Sequence, residues 1–197
     1  MTDWPVALRG VTETVTTTRG PDGAWNAAAL GVHAGDPATA KTWGGTRTRR
    51  NFERESGGYV QFVRDPVLFA EAALGVREVS EPILDAADAW AQVEVARVDS
   101  GVTDGTEWVE WALSPAESAV EKRTVPTTNR GYGAVVEATV AASRLGVAGY
   151  DDARLRARLD YFDGVVRRCG GARERTAIDR VAALSDWDRG ASRNEPF

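Results

Sequence analysis

The segment from residue 41 to residue 54 concentrates side chains that could hold an anion. Its basic residues are Lys41, Arg47, Arg49, Arg50 and Arg54. Five positive charges against the single acid Glu53 give it a local charge of +4, within a chain of net charge −5. Two glycines lead into hydroxyl and amide side chains at Thr46, Thr48 and Asn51. Guanidinium, hydroxyl and amide groups together favour a phosphate monoester. The alternative is that the arginines are solvated and Thr48 only caps a turn.

The rest of the chain offers few groups for proton transfer. It has one histidine, His33, and one cysteine, Cys169. This excludes a zinc site built from cysteine and histidine, and any catalytic triad that does not use His33. The Asp151-Asp152 pair is interpreted as a helix cap, so no metal site is predicted. The catalytic residues are left unassigned. An enzyme made of these residues would take its chemistry from a bound cofactor.

Composition narrows the class of partner. The chain has 197 residues, a mass of 21.2 kDa and a pI of about 5.1. An acidic protein is not expected to coat nucleic acid or an anionic membrane. No apolar run approaches the roughly 20 residues of a membrane span. The first five residues lack the pattern of a secretory signal. We therefore expect a cytoplasmic protein with no nucleic-acid or membrane partner.

Two periodicities divide the chain. Alternating β-branched and apolar residues predict strands joined by short turns, with one brief helix at 66–74 capped by Asp65. The strands are predicted at 11–17, 25–32, 39–43, 59–64, 89–98 and 106–113. Apolar residues spaced by three and four then predict helices at 135–145, 152–169 and 173–184. The predicted organisation is a barrel at 1–115, a helical region at 116–188 that packs on the barrel or a dimer, and a flexible tail at 189–197.

Several segments resemble a known superfamily. Thr48-Arg49-Arg50-Asn51 resembles the Thr-x-x-Asn element of flavin-reductase-like proteins with the FMN-binding split barrel. The segment 26–32 resembles the Asn-Ala-Ala-Pro strand of the same superfamily. The order of these segments, with Arg64-Asp65-Pro66 after them, is similar to an uncharacterised, largely archaeal family of FMN-binding split-barrel proteins. That family has a C-terminal helical region, and the resemblance covers roughly residues 8 to 185.

The resemblance implies a mainly β fold with an α appendage: a six-stranded antiparallel split β-barrel followed by a C-terminal helical region. It also implies a homodimer with one FMN per subunit near the dimer interface. The phosphate would be held by Thr46, Thr48 and Asn51, with Arg47 or Arg49 assisting. The isoalloxazine and ribityl groups would be lined by Thr16, Thr17, Thr18, Asn26, Ala27 and Ala28.

Three functions are compatible with these residues. The first is a flavin-dependent oxidoreductase that takes hydride from a reduced nicotinamide or deazaflavin donor. No Gly-x-Gly-x-x-Gly motif is present, so a nicotinamide would bind transiently over the flavin. The second is a protein that binds flavin without catalysis. The third is a structural dimer without flavin, whose arginine cluster meets an acidic protein or RNA.

Overall fold

The computed structural model describes residues 3–189, which form two compact units. The first unit comprises the chain up to Arg64 and the segment Val76–Thr124. The second comprises Asp65–Gly75 and the chain from Val125 onward. The helix in the middle of the chain thus belongs to the second unit, although strands precede and follow it in sequence.

The first unit is a closed six-stranded barrel in which every strand pair is antiparallel, in the order β1-β4-β6-β7-β3-β2, with β1 and β2 closing the ring. A seventh strand, β5, pairs with β2. The strands are β1 (Val11–Arg19), β2 (Trp25–His33), β3 (Ala38–Trp43), β4 (Gly57–Val63), β5 (Arg77–Val79), β6 (Ala87–Thr103) and β7 (Thr106–Val120). The predicted fold class is confirmed, including the helical region after the barrel.

The last hairpin is longer than the sequence predicts. The expected loop at 99–105 is almost entirely strand, because β6 and β7 stay paired up to Thr103 and Thr106. Only Asp104 and Gly105 make the turn, both with positive φ, at 49° and 77°. An Asp-Gly pair in this conformation matches the right-handed twist of the strands that it joins.

A short helix, α1 (Arg47–Glu55), lies between β3 and β4. Its Phe52 is buried in the barrel core with the ring 5.4 Å from that of Trp111 on β7. Leu30 and Val60 belong to the same apolar cluster. The core therefore includes α1 as well as the strands, and this fixes the helix to the barrel.

The second unit is a helical cluster. Its helices are α2 (Pro66–Leu74), α3 (Arg130–Ala142), α4 (Asp152–Cys169) and α5 (Ala172–Ala183). Leu159, Val166 and Ile178 are fully buried in its core. Asp65 caps α2 as predicted, accepting a hydrogen bond from the Val67 amide at 2.9 Å. No helix within residues 3–189 is long and apolar enough to cross a membrane. Of the predicted tail at 189–197, only its first residue lies among the described residues.

An ion-pair network holds the chain that follows α5. Arg189 donates to Asp179 at 2.5 Å and to Asp163 at 3.0 Å. Arg167 also donates to Asp179, at 2.6 Å. Burial alone would raise the pKa of Asp179, but the hydrogen bonds and charges of the two arginines outweigh it and lower the pKa. The network therefore stabilises the fold while Asp179 is ionised.

We predict that this stabilisation is lost in acid. Because the pKa of Asp179 is lowered in the folded state from 3.8, its contribution is complete above that value and disappears as the pH falls through the folded pKa. Asp179→Asn should lower the free energy of unfolding near neutral pH by less than about 1 kcal/mol, because the groups are partly exposed. The difference from wild type, measured by urea unfolding, should shrink below about pH 4.

Asp186→Asn is the matched control, because the Asp186 carboxylate is exposed and makes no ion pair within the described part of the chain. A difference between wild type and Asp179→Asn that stays the same in acid and at neutral pH would contradict the assignment.

Candidate functional site

The N-terminus of α1 forms one side of the candidate site. Gly44 has a φ of +61°, which turns the chain out of β3. Thr46 is the N-cap, and its side chain accepts a hydrogen bond from the Arg49 amide at 3.3 Å. The helix therefore begins at Arg47, and Thr48 lies in its first turn and is not the N-cap. The backbone N–H groups of Arg47 and Thr48 have no acceptor within the helix and are directed out of its first turn. No acidic residue occupies that turn, so it suits an anion.

The predicted ring-binding residues lie on both faces of the β1–β2 pair. Because side chains alternate along a strand, Thr16 and Thr18 share the inner face with their partners Ala28 and Asn26. This is also the face of the core residue Leu30. Thr17 and Ala27 are opposite each other on the outer face. The structure therefore brings four of these six residues together on the inner face and separates the other two from them.

Asn51 connects α1 to β1. Its Nδ2 donates to the Thr18 hydroxyl at 2.9 Å and to the Thr18 carbonyl at 3.3 Å. Its Oδ1 accepts from Arg54 at 3.0 Å. The whole amide is engaged inside the protein, and Asn51 is buried. The geometry gives Asn51 the role of positioning the helix against the strand, which the motif alone does not indicate.

Three buried residues around this contact make no side-chain hydrogen bond. Thr16 is 0%, Thr48 5% and Asn26 7% exposed, and none makes a side-chain hydrogen bond to any described residue. Of their polar atoms, only the Thr16 hydroxyl is both unpaired and shielded from solvent, while those of Thr48 and Asn26 keep some access to it. Asn26 lies opposite Thr18 in the register, and Thr48 is one turn before Asn51. We call Thr16, Asn26 and Thr48 the polar cluster.

The unpaired Thr16 hydroxyl is unusual in a folded protein. Most buried polar groups have hydrogen-bond partners, and an unpaired one costs free energy. Together with Asn26 and Thr48, Thr16 provides hydroxyl and amide groups to which a polar ligand could bond. Each belongs to the set of residues predicted for the cofactor.

On the outer face of β1, the polar side chain of Thr17 has hydrogen-bond partners. The Thr17 hydroxyl donates to the Pro82 carbonyl at 2.5 Å and accepts from Gln61 Nε2 at 3.0 Å. Gln61 also donates to the Pro82 carbonyl and accepts from the Leu84 amide at 2.7 Å. These bonds hold the segment after β5 against the barrel. Thr17 therefore serves the fold in this arrangement.

In the folded protein, carboxylates neutralise the local charge of +4 on residues 41–54. Strands distant in sequence bring Glu78, Glu107 and Glu110 to the basic residues, and Glu55 adds to Glu53. Five carboxylates then oppose five basic side chains. The pairs are Lys41–Glu110 at 3.9 Å, Arg47–Glu78, Arg49–Glu53 at 3.1 Å, Arg49–Glu107 at 3.0 Å and Arg54–Glu55 at 2.9 Å. Hydrogen bonds from Arg49 to Glu53 and Glu107 raise its pKa. The charge expectation is corrected: the folded cluster is close to neutral.

Other candidate groups lie outside this arrangement. His33 is exposed at the end of β2. Within residues 3–189, no group of three or more histidine, cysteine or acidic side chains could hold a metal ion. Trp43 is 48% exposed at the end of β3, next to the glycines before α1. The sequence alone does not indicate this exposed indole, because a tryptophan on a strand is expected to be buried in a core or an interface.

Most of the chain is similar to known proteins. Residues 12–122 match the N-terminal domain of a family described as protein of unknown function (DUF447), and residues 129–182 match a second DUF447 region. The chain is similar to the FMN-bound protein MM1853 from Methanosarcina mazei, with 24% identity, a TM-score of 0.78, and coverage of 90% of this chain and 96% of that one. This similarity shows that the two chains share a fold.

Two further proteins of known structure are less similar to this chain. The styrene monooxygenase flavin reductase (SMOB) of Pseudomonas putida S12 has 14% identity and a TM-score of 0.41, covering 61% of this chain and 86% of that chain. Flavoredoxin from Methanosarcina acetivorans has 11% identity and a TM-score of 0.41, covering 64% of this chain and 77% of that chain.

Neighbouring threonines on opposite faces of β1 allow a test of the polar cluster. Thr16→Val removes an unpaired buried hydroxyl at nearly constant shape, so we expect it to stabilise the ligand-free protein by about 1 kcal/mol. Thr17→Val is the matched control. It removes two hydrogen bonds, although Gln61 still donates to the Pro82 carbonyl, so it should destabilise by about 1 kcal/mol. Urea unfolding of the ligand-free protein measures both. Destabilisation by Thr16→Val would show that its hydroxyl has a partner within the protein.

Proposed function

The chain belongs to the DUF447 family, and we propose that it binds FMN where the N-terminus of α1 meets β1 and β2. The observation that carries the proposal is the polar cluster, whose three residues are buried and make no side-chain hydrogen bond to the described residues, with the Thr16 hydroxyl also shielded from solvent. The FMN-bound state of the similar Methanosarcina mazei protein supports it, as does the resemblance of residues 48–51 to the Thr-x-x-Asn element.

The residues present fit the groups of FMN. The phosphate would lie at the first turn of α1, where two backbone N–H groups and the Thr48 hydroxyl are available to an anion. Thr46 caps the same turn, and Arg47 and Arg49 lie within it. Toward the barrel, Thr16 and Asn26 would meet the polar groups of the ribityl chain or the ring.

The remaining predicted residues would act by position. Ala28 is small and half-buried on the inner face of β2, so it allows a planar ring to come close. Thr18 and Asn51 would keep the helix at the right distance from β1 through their hydrogen bond. Thr17 and Ala27 would support the strands from the outer face.

We propose further that the protein is a flavin-dependent oxidoreductase. FMN, when bound, supplies two-electron chemistry by accepting hydride, which the few acid–base side chains of this chain do not provide. The residues of the chain would bind and orient the flavin, and hydride would come from a reduced nicotinamide or deazaflavin donor. A protein that holds FMN without catalysis is the alternative. The near-neutral charge of the folded arginine cluster counts against a flavin-free dimer that meets a polyanion.

The subunit arrangement and the location belong to the same proposal. The exposed Trp43 next to the site, with Val98 and Val102 exposed on β6, supports a homodimer with the flavin near the interface. The cytoplasmic location expected from the sequence stays a prediction.

Flavin binding is tested by titrating the protein with FMN and following flavin fluorescence. We expect saturable binding, and we expect Thr48→Ala to weaken it about tenfold, because a hydrogen bond to a phosphate oxygen is charge-assisted. Thr39→Ala is the control, because Thr39 lies on β3 outside the site and makes no side-chain hydrogen bond to the described residues. Absence of FMN uptake by wild type would refute the proposed function. Equal affinities of Thr48→Ala and Thr39→Ala would move the phosphate elsewhere.

Catalysis is tested without oxygen. If the protein is an oxidoreductase, a reduced nicotinamide or deazaflavin should bleach the visible absorbance of the bound FMN in a donor-dependent manner. Free FMN under the same conditions is the control for direct reaction. Tight FMN retention with no bleaching by either donor would favour the non-catalytic alternative.

A further inference from the structure

We propose that Arg50, rather than Arg47 or Arg49, is the residue that makes this site select a phosphorylated flavin over riboflavin. The inference rests on the proposed function and refines it, because it names the side chain that recognises the phosphate. It begins from where the Arg50 guanidinium lies and from the partners of the other basic side chains.

The Arg50 side chain folds back over the start of α1. Its Nη1 donates to the carbonyl oxygen of Gly45, which immediately precedes the N-cap Thr46. The guanidinium therefore lies beside the turn before the helix instead of extending along the helix body. This is also the end toward which the free amides of Arg47 and Thr48 are directed.

Every other basic residue of the cluster is held by a carboxylate. Lys41 pairs with Glu110, Arg47 with Glu78, Arg49 with Glu53 and Glu107, and Arg54 with Glu55. Arg50 is exposed and makes no ion pair with any of the described residues. Its one hydrogen bond is to a neutral carbonyl. Arg50 is thus the cluster's unneutralised positive charge.

This difference determines which arginine contributes the most binding free energy when a phosphate binds. At Arg47 or Arg49, a phosphate must displace a carboxylate, so the ion pair that forms replaces one that breaks. At Arg50, the phosphate meets a charge without an ionic partner, and most of the five guanidinium N–H donors are free. The contact there is a net gain, and its forked geometry matches two phosphate oxygens.

The ligand class follows from this charge. A phosphate monoester carries a charge of about −1.5 to −2 near neutral pH. It can be held by the Arg50 fork, the Thr48 hydroxyl and the first-turn amides together. Riboflavin ends in an uncharged hydroxyl at the same point and gains little from a guanidinium. Loss of Arg50 should therefore affect FMN and spare riboflavin.

The experiment compares FMN and riboflavin titrations, followed by flavin fluorescence, for wild type, Arg50→Gln, Arg47→Gln and Lys41→Gln. We expect Arg50→Gln to lower FMN affinity about ten- to hundredfold, the range for a charge-assisted contact, and to leave riboflavin affinity unchanged. Lys41→Gln removes the same charge from a paired side chain on β3, and we expect it to change FMN affinity by less than about threefold. Inorganic phosphate should compete with FMN in wild type and less effectively in Arg50→Gln.

The outcomes separate this proposal from the proposed function. If wild type binds neither flavin, the proposed function fails. If wild type binds both flavins and Arg50→Gln weakens them equally or not at all, flavin binding stands and the assignment of Arg50 is wrong. A larger FMN-selective loss in Arg47→Gln than in Arg50→Gln also overturns it. Arg50 is exposed, so its variant should stay folded, which circular dichroism checks.

Discussion

The hydrogen bond from Asn51 to Thr18 is the contact on which the candidate site depends. It joins the buried face of α1 to the inner face of β1, while Phe52, the next residue of the helix, packs into the barrel core. Together they fix where the helix begins and where its free amides point. A ligand held at those amides is thereby also placed beside the unpaired side chains of β1 and β2.

The same arrangement accounts for the lack of hydrogen-bond partners at Thr16 and Asn26. A strand that lines a barrel must direct every second residue inward, so an inner position filled by threonine or asparagine loses water unless something else bonds to it. Thr14 avoids this by donating to the Leu30 carbonyl at 2.6 Å. Thr16 and Asn26 find no such acceptor among the described residues. In the unfolded chain these groups are hydrated, so burying them lowers the stability of the folded protein. A bound ligand that forms hydrogen bonds with them could restore that stability.

The electrostatic properties of the site depend on which arginines are paired with carboxylates more than on the total charge. Glu78 on β5 and Glu107 on β7 reach two arginines of α1, although they lie far from the helix in sequence. These pairs are exposed to solvent and contribute little to stability. Among the described residues, the guanidinium of Arg50 is left without a carboxylate, so the unpaired positive charge of the segment is confined to one side chain.

The sequence by itself determined the class of fold and the neighbourhood of the site. Alternation of β-branched residues and the three-and-four spacing of apolar ones depend on local geometry, so the barrel strands and the three C-terminal helices could be predicted. It did not predict α1 as a helix or β5 as a strand, because α1 is largely charged and β5 has only three residues. The candidate site residues remain a prediction that the structure sorts by position.

Only the tertiary structure decided what each of those residues can do. The alternation of side chains along β1 placed Thr16 and Thr17 on opposite faces. The Thr16 hydroxyl is unpaired, whereas the Thr17 hydroxyl is hydrogen-bonded to Gln61 and Pro82. Long-range strand pairing brought in the carboxylates that cancel the segment's charge. Residue types and spacing carry the local chemistry, but hydrogen-bond partners and opposing charges come from distant parts of the chain, and these are fixed only when the barrel closes.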